Sequence, residues 1–217
     1  MARLAFGPAA PAYELLTDCP PWRADCRALA ALLPEGRILD LGAGPGTSAV
    51  EMARAAPGRR FVAVDRAAAM LPRARRRAAA AGVALPLLRA DALALPFRAG
   101  CFDGAAGHSV LYLLPDARAA LAELRRVVRP GGRVAFLEPR EGAADGKGAF
   151  GDGLRFGAAM RLWRVMSALH GRFTETSLAA LLGAAGFVRV SARPALRGFG
   201  VVATGEAPGL TAPGAGP

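Results

Sequence analysis

The residues that could do chemistry begin with a glycine-rich loop. Gly42, Gly44 and Gly46 are spaced two apart after a short apolar strand, and Thr47 follows them. Glycines in such a loop let the backbone approach a ligand where a side chain would collide with it. Asp40 lies just before the loop, where an acid repels a diphosphate and attracts a cation. The loop therefore predicts a site for a small ligand that carries positive charge.

The spacing of the glycines also disfavours one class of enzyme. A loop that packs a dinucleotide pyrophosphate against a helix N-terminus needs glycine or alanine at position 47, and this sequence has Thr47 there. The chain also lacks a Ser/Tyr/Lys set suited to hydride transfer. A nicotinamide-dependent oxidoreductase is therefore disfavoured.

Two further acids follow predicted strands. Asp65 comes about 20 residues after the loop, where a carboxylate can accept both hydroxyls of a ribose. Asp91 ends the next strand, where its carboxylate can accept a hydrogen bond from an exocyclic amine. Each acid alone is typical of a helix cap or a turn. Because ligands of parallel sheets bind at the carboxyl ends of the strands, the three acids together predict one site lined by Asp40, Asp65 and Asp91.

The elements that must position these residues alternate along the chain. Short β-type runs alternate with helical runs rich in Ala, Leu and Arg, which is typical of an α/β protein whose parallel sheet is wrapped by helices. The predicted strands are Arg37–Gly42, Arg60–Asp65, Leu85–Ala90, Phe102–Ser109, Arg133–Glu138, Phe187–Ala192 and Gly198–Thr204. The predicted helices are Gly46–Ala56, Ala67–Ala81, Asp116–Val128, Leu154–His170 and Ser177–Ala185, with Thr174 as the cap of the last.

Composition and charge exclude further classes. No uncharged apolar stretch reaches the roughly 18–20 residues that a bilayer crossing needs. The net charge of +11 suggests a nucleic-acid partner, but no aromatic series interleaves with the dense basic run Arg73–Arg77, so we expect this run to form a solvated helix face.

The three cysteines, Cys19, Cys26 and Cys101, lack CxxC spacing and an even count. They predict reduced thiols in a cytoplasmic protein, the first two on the surface of an N-terminal helix.

The ordered set of motifs resembles one family. Ile38–Thr47, Val62–Asp65, Arg89–Phe97, Phe102–Leu114 and Leu124–Arg133 are similar, in this order, to class I S-adenosylmethionine-dependent methyltransferases. Within that class they resemble the broad group that includes the ubiquinone/menaquinone C-methyltransferases. The resemblance implies a Rossmann-like fold: a mostly parallel, seven-stranded sheet with helices on both faces and an antiparallel last strand. It is specific for the cofactor and says little about the substrate.

The resemblance also implies roles for individual residues. The three loop glycines would flank the methionine part of S-adenosylmethionine, Asp65 would hold the ribose, and His108 would lie near the sulfonium. Asp91 and Ala92 would meet the adenine edge, and Tyr13 with Trp22 and Arg23 would form an N-terminal cover. The implied cofactor-binding set is Tyr13, Arg23, Asp40, Gly42, Gly44, Gly46, Thr47, Asp65, Arg66, Met70, Asp91, Ala92 and His108.

The predicted organisation is a single methyltransferase domain over residues 1–207. It comprises an N-terminal helical cover over 1–36, a cofactor-binding core over 37–138, and an insertion over 139–173 that could serve as a substrate lid. A C-terminal helix and two strands follow over 174–207. We expect the tail over 208–217 to be disordered.

Methyl transfer from a sulfonium chiefly requires an aligned nucleophile and the exclusion of water, and it requires no metal. An acceptor that must lose a proton also needs a base, and the candidates are His108, Glu138 and Tyr112, with His170 less well placed. Each of three candidates also has a non-catalytic interpretation. His108 could position the cofactor, His170 could cap its helix, and Glu138 could be a solvated acid at a strand end.

The leading hypothesis is a cytoplasmic S-adenosylmethionine-dependent methyltransferase that acts on a carbon or oxygen of a small, apolar or aromatic molecule. It depends on the single-domain size and on the apolar helix Leu154–His170, which is broad enough to close over a compact acceptor. The product of the cofactor would be S-adenosylhomocysteine. The alternatives are an RNA-modifying methyltransferase, which charge alone favours, and a cofactor-binding protein without catalysis. We do not expect nucleic acid as a partner, and a homodimer is left open.

Overall fold

The computed structural model describes residues 18–142 and 153–209. These residues form one sheet with helices packed around it. The strands are β1 (Gly36–Leu41), β2 (Arg59–Asp65), β3 (Leu87–Arg89), β4 (Phe102–His108), β5 (Val128–Pro139), β6 (Val188–Ala195) and β7 (Gly200–Glu206). The helices are α1 (Pro20–Ala31), α2 (Thr47–Ala55), α3 (Leu71–Ala80), α4 (Ala117–Val127), α5 (Leu154–His170) and α6 (Glu175–Ala184).

The seven strands lie in the order β3-β2-β1-β4-β5-β7-β6. Strands β1 to β5 pair in parallel, and β7 runs antiparallel to both β5 and β6. The prediction of a mostly parallel, Rossmann-like sheet with an antiparallel last strand is therefore confirmed. The strand order reverses between β1 and β4, and ligands of such sheets bind at the carboxyl ends of the strands at that point.

Small residues in β4 bring the neighbouring strands and loops close to that point. Ala105 and Ala106 are completely buried. A Cβ on Gly107 would lie 2.6 Å from Cε1 of Phe136, so no larger residue fits between β4 and β5. In the register of the sheet Leu41 lies opposite Gly107, which sets the end of β1 beside His108. The glycine loop and His108 therefore meet at one edge.

Several element boundaries differ from the sequence prediction, and three of the differences have a clear description in the structure. Strand β3 is shorter than predicted because Pro86 has no N–H to continue the ladder, although its carbonyl still accepts from the Ala63 N–H. Strand β5 begins at Val128, before the Pro-Gly-Gly segment, with an irregular register opposite β4. Helix α3 begins at Leu71, four residues later than predicted.

The expectation that Cys19 and Cys26 lie on the surface is wrong. Both thiols are buried at α1, in the apolar cluster that also contains Trp22 and Trp163. Burial raises the pKa of each thiol, and that of Cys26 well above its usual value. Free cysteine packs there as a small apolar side chain.

Some expectations fall outside the described residues. These are the cover residue Tyr13, most of the connection predicted before α5, and most of the tail over 208–217. The proposed boundaries of the single domain stay a prediction. In the parts of the chain that are described, no helix combines the length and the apolar character that crossing a membrane demands.

Candidate functional site

The glycine loop between β1 and α2 has three residues in the left-handed region. The φ angles are +68° at Gly42, +52° at Gly44 and +86° at Gly46. A Cβ on Gly42 would lie 2.4 Å from Cγ2 of Val110, and one on Gly46 would lie 2.9 Å from Ala74. A Cβ on Gly44 would meet no atom within 4 Å. The outer two glycines therefore permit close packing, whereas Gly44 faces open space that a ligand can fill.

Asp65 connects the end of β2 to this loop. Its Oδ2 accepts a hydrogen bond from the Gly44 N–H at 2.7 Å, and its Oδ1 accepts one from the Ala67 N–H at 2.7 Å. Burial raises the pKa of Asp65, while the two N–H groups oppose that rise. Each carboxylate oxygen keeps a second lone pair. Asp65 therefore fixes Gly44 and can still accept two hydroxyl groups.

The position of Asp40 differs from the expectation that all three acids line one site. Its side chain is completely buried, and its carboxyl oxygens lie 3.2 and 3.3 Å from the Ser48 hydroxyl. Burial raises the pKa of Asp40 to about 7. Asp40 lies beneath the loop, where it ties β1 to α2 through Ser48. Sequence reasoning missed Ser48 because nothing in the spacing marks a serine in the first helical turn as its partner.

The third acid, Asp91, lies at the end of β3 on a more open edge. Its Oδ1 accepts a hydrogen bond from the Leu93 N–H at 3.1 Å, as in an Asx turn, and the Arg66 guanidinium lies 3.7 Å from its Oδ2. Ala92 and Met70 are both buried. Asp91 is therefore a half-buried acid at the strand end next to the one that carries Asp65.

Glu138 lies under the segment that follows β4. Its side chain is completely buried, and its carboxyl oxygens accept hydrogen bonds from the N–H groups of Val110, Leu111 and Tyr112 at 3.1, 2.9 and 3.4 Å. Burial raises the pKa of Glu138 to about 8, and the three N–H groups oppose that rise. The alternative of a solvated strand end for Glu138 is therefore excluded. The geometry favours a positioning role, since Glu138 caps the short 3-10 turn that begins at Leu111.

His108 is buried at the end of β4, next to a strained residue. Ser109 has φ of +59°, and its hydroxyl lies 3.0 Å from Nδ1 of His108. The other ring nitrogen, Nε2, is buried and has no hydrogen-bond partner in the described part of the chain. Burial lowers the pKa of His108 to about 4, so the imidazole is neutral at physiological pH. A buried nitrogen that lacks a partner is a ready contact for a ligand.

Trp22 packs against His108 and also meets Trp163 of a helix that is distant in the chain. The Trp22 ring of α1 lies 4.6 Å from the imidazole and 5.2 Å from the Trp163 ring of α5, measured between ring centroids. The indole N–H of Trp163 is also buried without a described partner. Sequence reasoning placed Trp163 only on an apolar helix face, because its contact with Trp22 depends on tertiary packing.

The three remaining candidates differ in burial and in their contacts. Tyr112 is buried, with its ring centroid 6.3 Å from that of His170. His170 is exposed at the end of α5, and its Nδ1 lies 2.9 Å from the Met166 carbonyl oxygen, which fits the cap role. Arg23 forms an ion pair with Asp18 at 2.5 Å. It also lines a groove of about 550 Å³ between α1, α2 and α3.

A family model for a methyltransferase domain matches residues 38–132. A demethylmenaquinone methyltransferase from Thermus thermophilus is 42% identical over 147 residues, which cover 64% of this chain and 67% of that protein. The chain belongs to the class I S-adenosylmethionine-dependent methyltransferases. A ubiquinone/menaquinone biosynthesis C-methyltransferase from Burkholderia mallei is 37% identical over 133 residues, 58% of this chain and 55% of that protein. The matches to mycobacterial relatives span about half of their length, 48% in Mycolicibacterium vanbaalenii.

Solved structures of other methyltransferases have the same fold. An S-adenosylmethionine-dependent methyltransferase from Thermotoga maritima superposes with a TM-score of 0.68 at 21% identity and covers 93% of this chain and 96% of its own. One from Aquifex aeolicus has a TM-score of 0.65 at 15% identity, with coverages of 95% and 96%. At these identities the comparison concerns the fold alone.

The described residues of this methyltransferase fit S-adenosylmethionine. Gly44 leaves space where a side chain would stand, Asp65 has lone pairs for two ribose hydroxyls, and the half-buried Asp91 lies at the neighbouring strand end. The Thr47 hydroxyl is buried at the start of α2 without a described partner, so it is available to a polar group in the loop. The cofactor-binding roles of individual residues stay predictions.

Substitution of Gly44 tests whether the open side of the loop holds the cofactor. We expect Gly44→Ala to weaken the binding of S-adenosylhomocysteine by roughly tenfold, because the new methyl group would occupy space that the ligand fills. Isothermal titration calorimetry measures the affinity.

Gly82 provides the matched control for this substitution. It has φ of +65°, and a Cβ added there would meet no atom within 4 Å, so alanine encounters the same backbone strain at Gly82 as at Gly44. Both variants should lose about 1–2 kcal/mol of unfolding free energy. Only Gly44→Ala should lose affinity, and equal affinities for the two variants would contradict the site.

Proposed function

We propose that this methyltransferase moves a methyl group from S-adenosylmethionine to an oxygen or carbon of a small aromatic acceptor. The observation that carries the proposal is the buried Nε2 of His108, which lacks a described partner, on an imidazole that packs beside the Trp22 ring. We place the reaction in the cytoplasm, where the free thiols of Cys19 and Cys26 would stay reduced.

The aromatic character of the site supports an aromatic acceptor. Tryptophan faces offer a large apolar surface with specific stacking geometry, and their N–H groups normally find a partner when buried. Here the Trp163 indole N–H and His108 Nε2 both lack one among the described residues. An acceptor with oxygen substituents could serve both atoms, one as a hydrogen-bond acceptor and the other as a hydroxyl donor. A hydroxylated arene has this chemistry.

The roles of the residues follow from their protonation and burial. When bound, S-adenosylmethionine supplies an electrophilic methyl group on its sulfonium. In the tautomer whose proton lies on Nδ1, Nε2 of neutral His108 can accept the proton of the acceptor hydroxyl. The acceptor oxygen, or a ring carbon conjugated with it, then becomes the nucleophile. Trp22 and Trp163 exclude water from this position.

The names of the relatives support the same class of acceptor. The Thermus thermophilus protein is a demethylmenaquinone methyltransferase, and the Burkholderia mallei protein is a C-methyltransferase of ubiquinone and menaquinone biosynthesis. Both names describe methylation of quinone-type molecules. For this chain we extend the likeness only to a hydroxylated aromatic acceptor.

The RNA-modifying alternative depends on the basic groove between α1, α2 and α3. Its arginines come from all three helices, but none of the described residues that line it is aromatic, as base stacking would need. Glu51 in the same groove lies 2.8 Å from Arg27 and 3.9 Å from Arg23, which reduces the local positive charge. A small acceptor therefore remains the better-supported proposal.

An acceptor panel tests the proposed function directly. The enzyme is incubated with methyl-labelled S-adenosylmethionine and, separately, with phenols, hydroquinones, hydroxynaphthalenes, aliphatic amines and RNA. We expect label on a hydroxylated arene, with equimolar S-adenosylhomocysteine, and mass spectrometry locates the new methyl group. Label on RNA alone, or tight cofactor binding without transfer to any acceptor, would overturn the proposal.

A further inference from the structure

Ser109 holds a backbone conformation that normally belongs to glycine. Its φ is +59°, in the left-handed region where any side chain is strained. Hydrogen bonds on both sides impose this conformation. The Ser109 N–H donates to the Leu137 carbonyl oxygen at 2.8 Å, and the N–H of the next residue donates to Glu138 Oε1 at 3.1 Å. A glycine would fit the same backbone without strain, so the serine side chain requires an explanation of its own.

The hydroxyl of Ser109 has one side-chain partner in the described part of the chain. That partner is Nδ1 of His108, at 3.0 Å. Two arrangements fit this distance, because a hydroxyl both donates and accepts. In the first, the Nδ1–H group of the imidazole donates to the hydroxyl oxygen, and Nε2 carries a lone pair. In the second, the hydroxyl donates to Nδ1, and the ring proton lies on Nε2.

Burial distinguishes the two arrangements. Nε2 of His108 is buried and has no hydrogen-bond partner among the described residues. The second arrangement would therefore bury an N–H group without an acceptor, and such groups are rarer in proteins than buried acceptors with an unused lone pair. In the first arrangement the hydroxyl proton of Ser109 is left over, and this half-buried side chain can donate it to water. The geometry therefore favours the ring proton on Nδ1.

We propose that Ser109 is a positioning residue that holds the imidazole of His108 in the tautomer with its proton on Nδ1. The hydrogen bond of one ring nitrogen sets which nitrogen carries the proton. In water the histidine side chain favours the opposite tautomer, so a base that acts through Nε2 needs such a partner. The proposal deepens the proposed function and rests on it, since the Nε2 lone pair would face the hydroxyl of the acceptor.

Nitrogen NMR of isotopically labelled histidine rings tests the tautomer without any turnover. The chain contains two histidines, His108 and His170, and comparison with His170→Gln assigns the resonances of each ring. Protonated and unprotonated ring nitrogens resonate far apart. At neutral pH we expect His108 to show a protonated Nδ1 and an unprotonated Nε2. A protonated Nε2 in the wild-type protein would overturn the proposal.

Two substitutions separate the hydroxyl from the strained backbone. Ser109→Ala removes the hydroxyl and keeps a side chain in the left-handed region, whereas Ser109→Gly removes both the hydroxyl and the strain. We expect both variants to move the His108 proton toward Nε2 and to lower kcat by about three- to tenfold, as the loss of one neutral hydrogen bond predicts. Ser191→Ala is the matched control, because its hydroxyl lies 2.9 Å from that of Thr204, and it should keep the wild-type tautomer.

The outcomes distinguish this role from a structural one. If the two Ser109 variants leave the proton on Nδ1, or if only one of them moves it, the hydroxyl does not select the tautomer and the proposal is wrong. Chemical denaturation checks folding, and Ser109→Gly should be at least as stable as Ser109→Ala because it relieves the strain. Failure of the wild-type protein to methylate any hydroxylated arene would contradict the proposed function and leave the NMR result unaffected.

Discussion

His108→Gln is expected to lower kcat for a hydroxylated acceptor by at least about 100-fold, because removing a general base typically costs two to four orders of magnitude. Glutamine retains polar atoms of similar reach but cannot take up a proton. Nε2 of His108 is buried beside Trp22 and has no described partner, so it is available to an acceptor hydroxyl. Initial rates with the acceptor found in the panel measure the effect.

The pH profile distinguishes a base from a structural histidine. Burial lowers the pKa of His108 to about 4, so the imidazole stays neutral and able to accept a proton from pH 8 down to about pH 5. We therefore expect no loss of wild-type rate from this group across that range, and a loss as the pH falls through about 4. A rate that already falls near about pH 6.5 would indicate an ordinary, solvated imidazole.

His170→Gln is the control for the histidine substitution. His170 is exposed at the end of α5, its Nδ1 lies 2.9 Å from the Met166 carbonyl oxygen, and its ring approaches Tyr112 rather than His108. This variant should keep wild-type rates. The affinity of His108→Gln for S-adenosylhomocysteine is measured beside the rate, because it separates a chemical effect from loss of the cofactor contact predicted for this residue. If kcat of His108→Gln equals that of wild type, the acceptor does not lose its proton to this residue.

Local patterns in the sequence predict the cofactor half of the site because the relevant contacts are set by a strand, a turn and a helix. Gly42, Gly44 and Gly46 all adopt positive φ, as a glycine-specific loop requires. Asp65 lies at the end of the adjacent strand and contacts the loop directly. The register of parallel strands brings these residues to one edge, so an alternating α/β pattern was sufficient to place them.

The proposed acceptor half of the site could not be predicted because its residues come together only through packing between distant segments. Glu138 reaches the N–H groups after β4 only through the pairing of β4 with β5. Trp22 and Trp163 meet across α1 and α5 although 140 residues of chain lie between them. The burial of Asp40 is also a tertiary property. An acid just before a glycine loop can point toward a bound ligand or into the interior, and the sequence does not distinguish these directions.

Asp65→Asn is expected to weaken S-adenosylhomocysteine binding by about 10- to 100-fold, since hydrogen bonds to a charged group contribute about 1.5–3 kcal/mol. Both carboxylate oxygens already accept backbone N–H groups, from Gly44 and Ala67. The asparagine amide has a single oxygen, so its NH₂ group must face one of these N–H donors or a ribose hydroxyl. The variant therefore loses a ligand contact and loosens the loop at the same time.

The two effects of Asp65→Asn can be separated by comparison with the Gly44 variant. Loosening of the loop lowers stability, which chemical denaturation measures, whereas loss of the ribose contact lowers affinity for the nucleoside part alone. Adenosine should therefore bind Asp65→Asn more weakly than wild type, while Gly44→Ala should affect adenosine less than it affects S-adenosylhomocysteine. Glu35→Gln, an exposed acid before β1, controls for loss of one negative charge. If Asp65→Asn binds adenosine as tightly as wild type does, the ribose does not contact this carboxylate. Asp65 would then only support the loop.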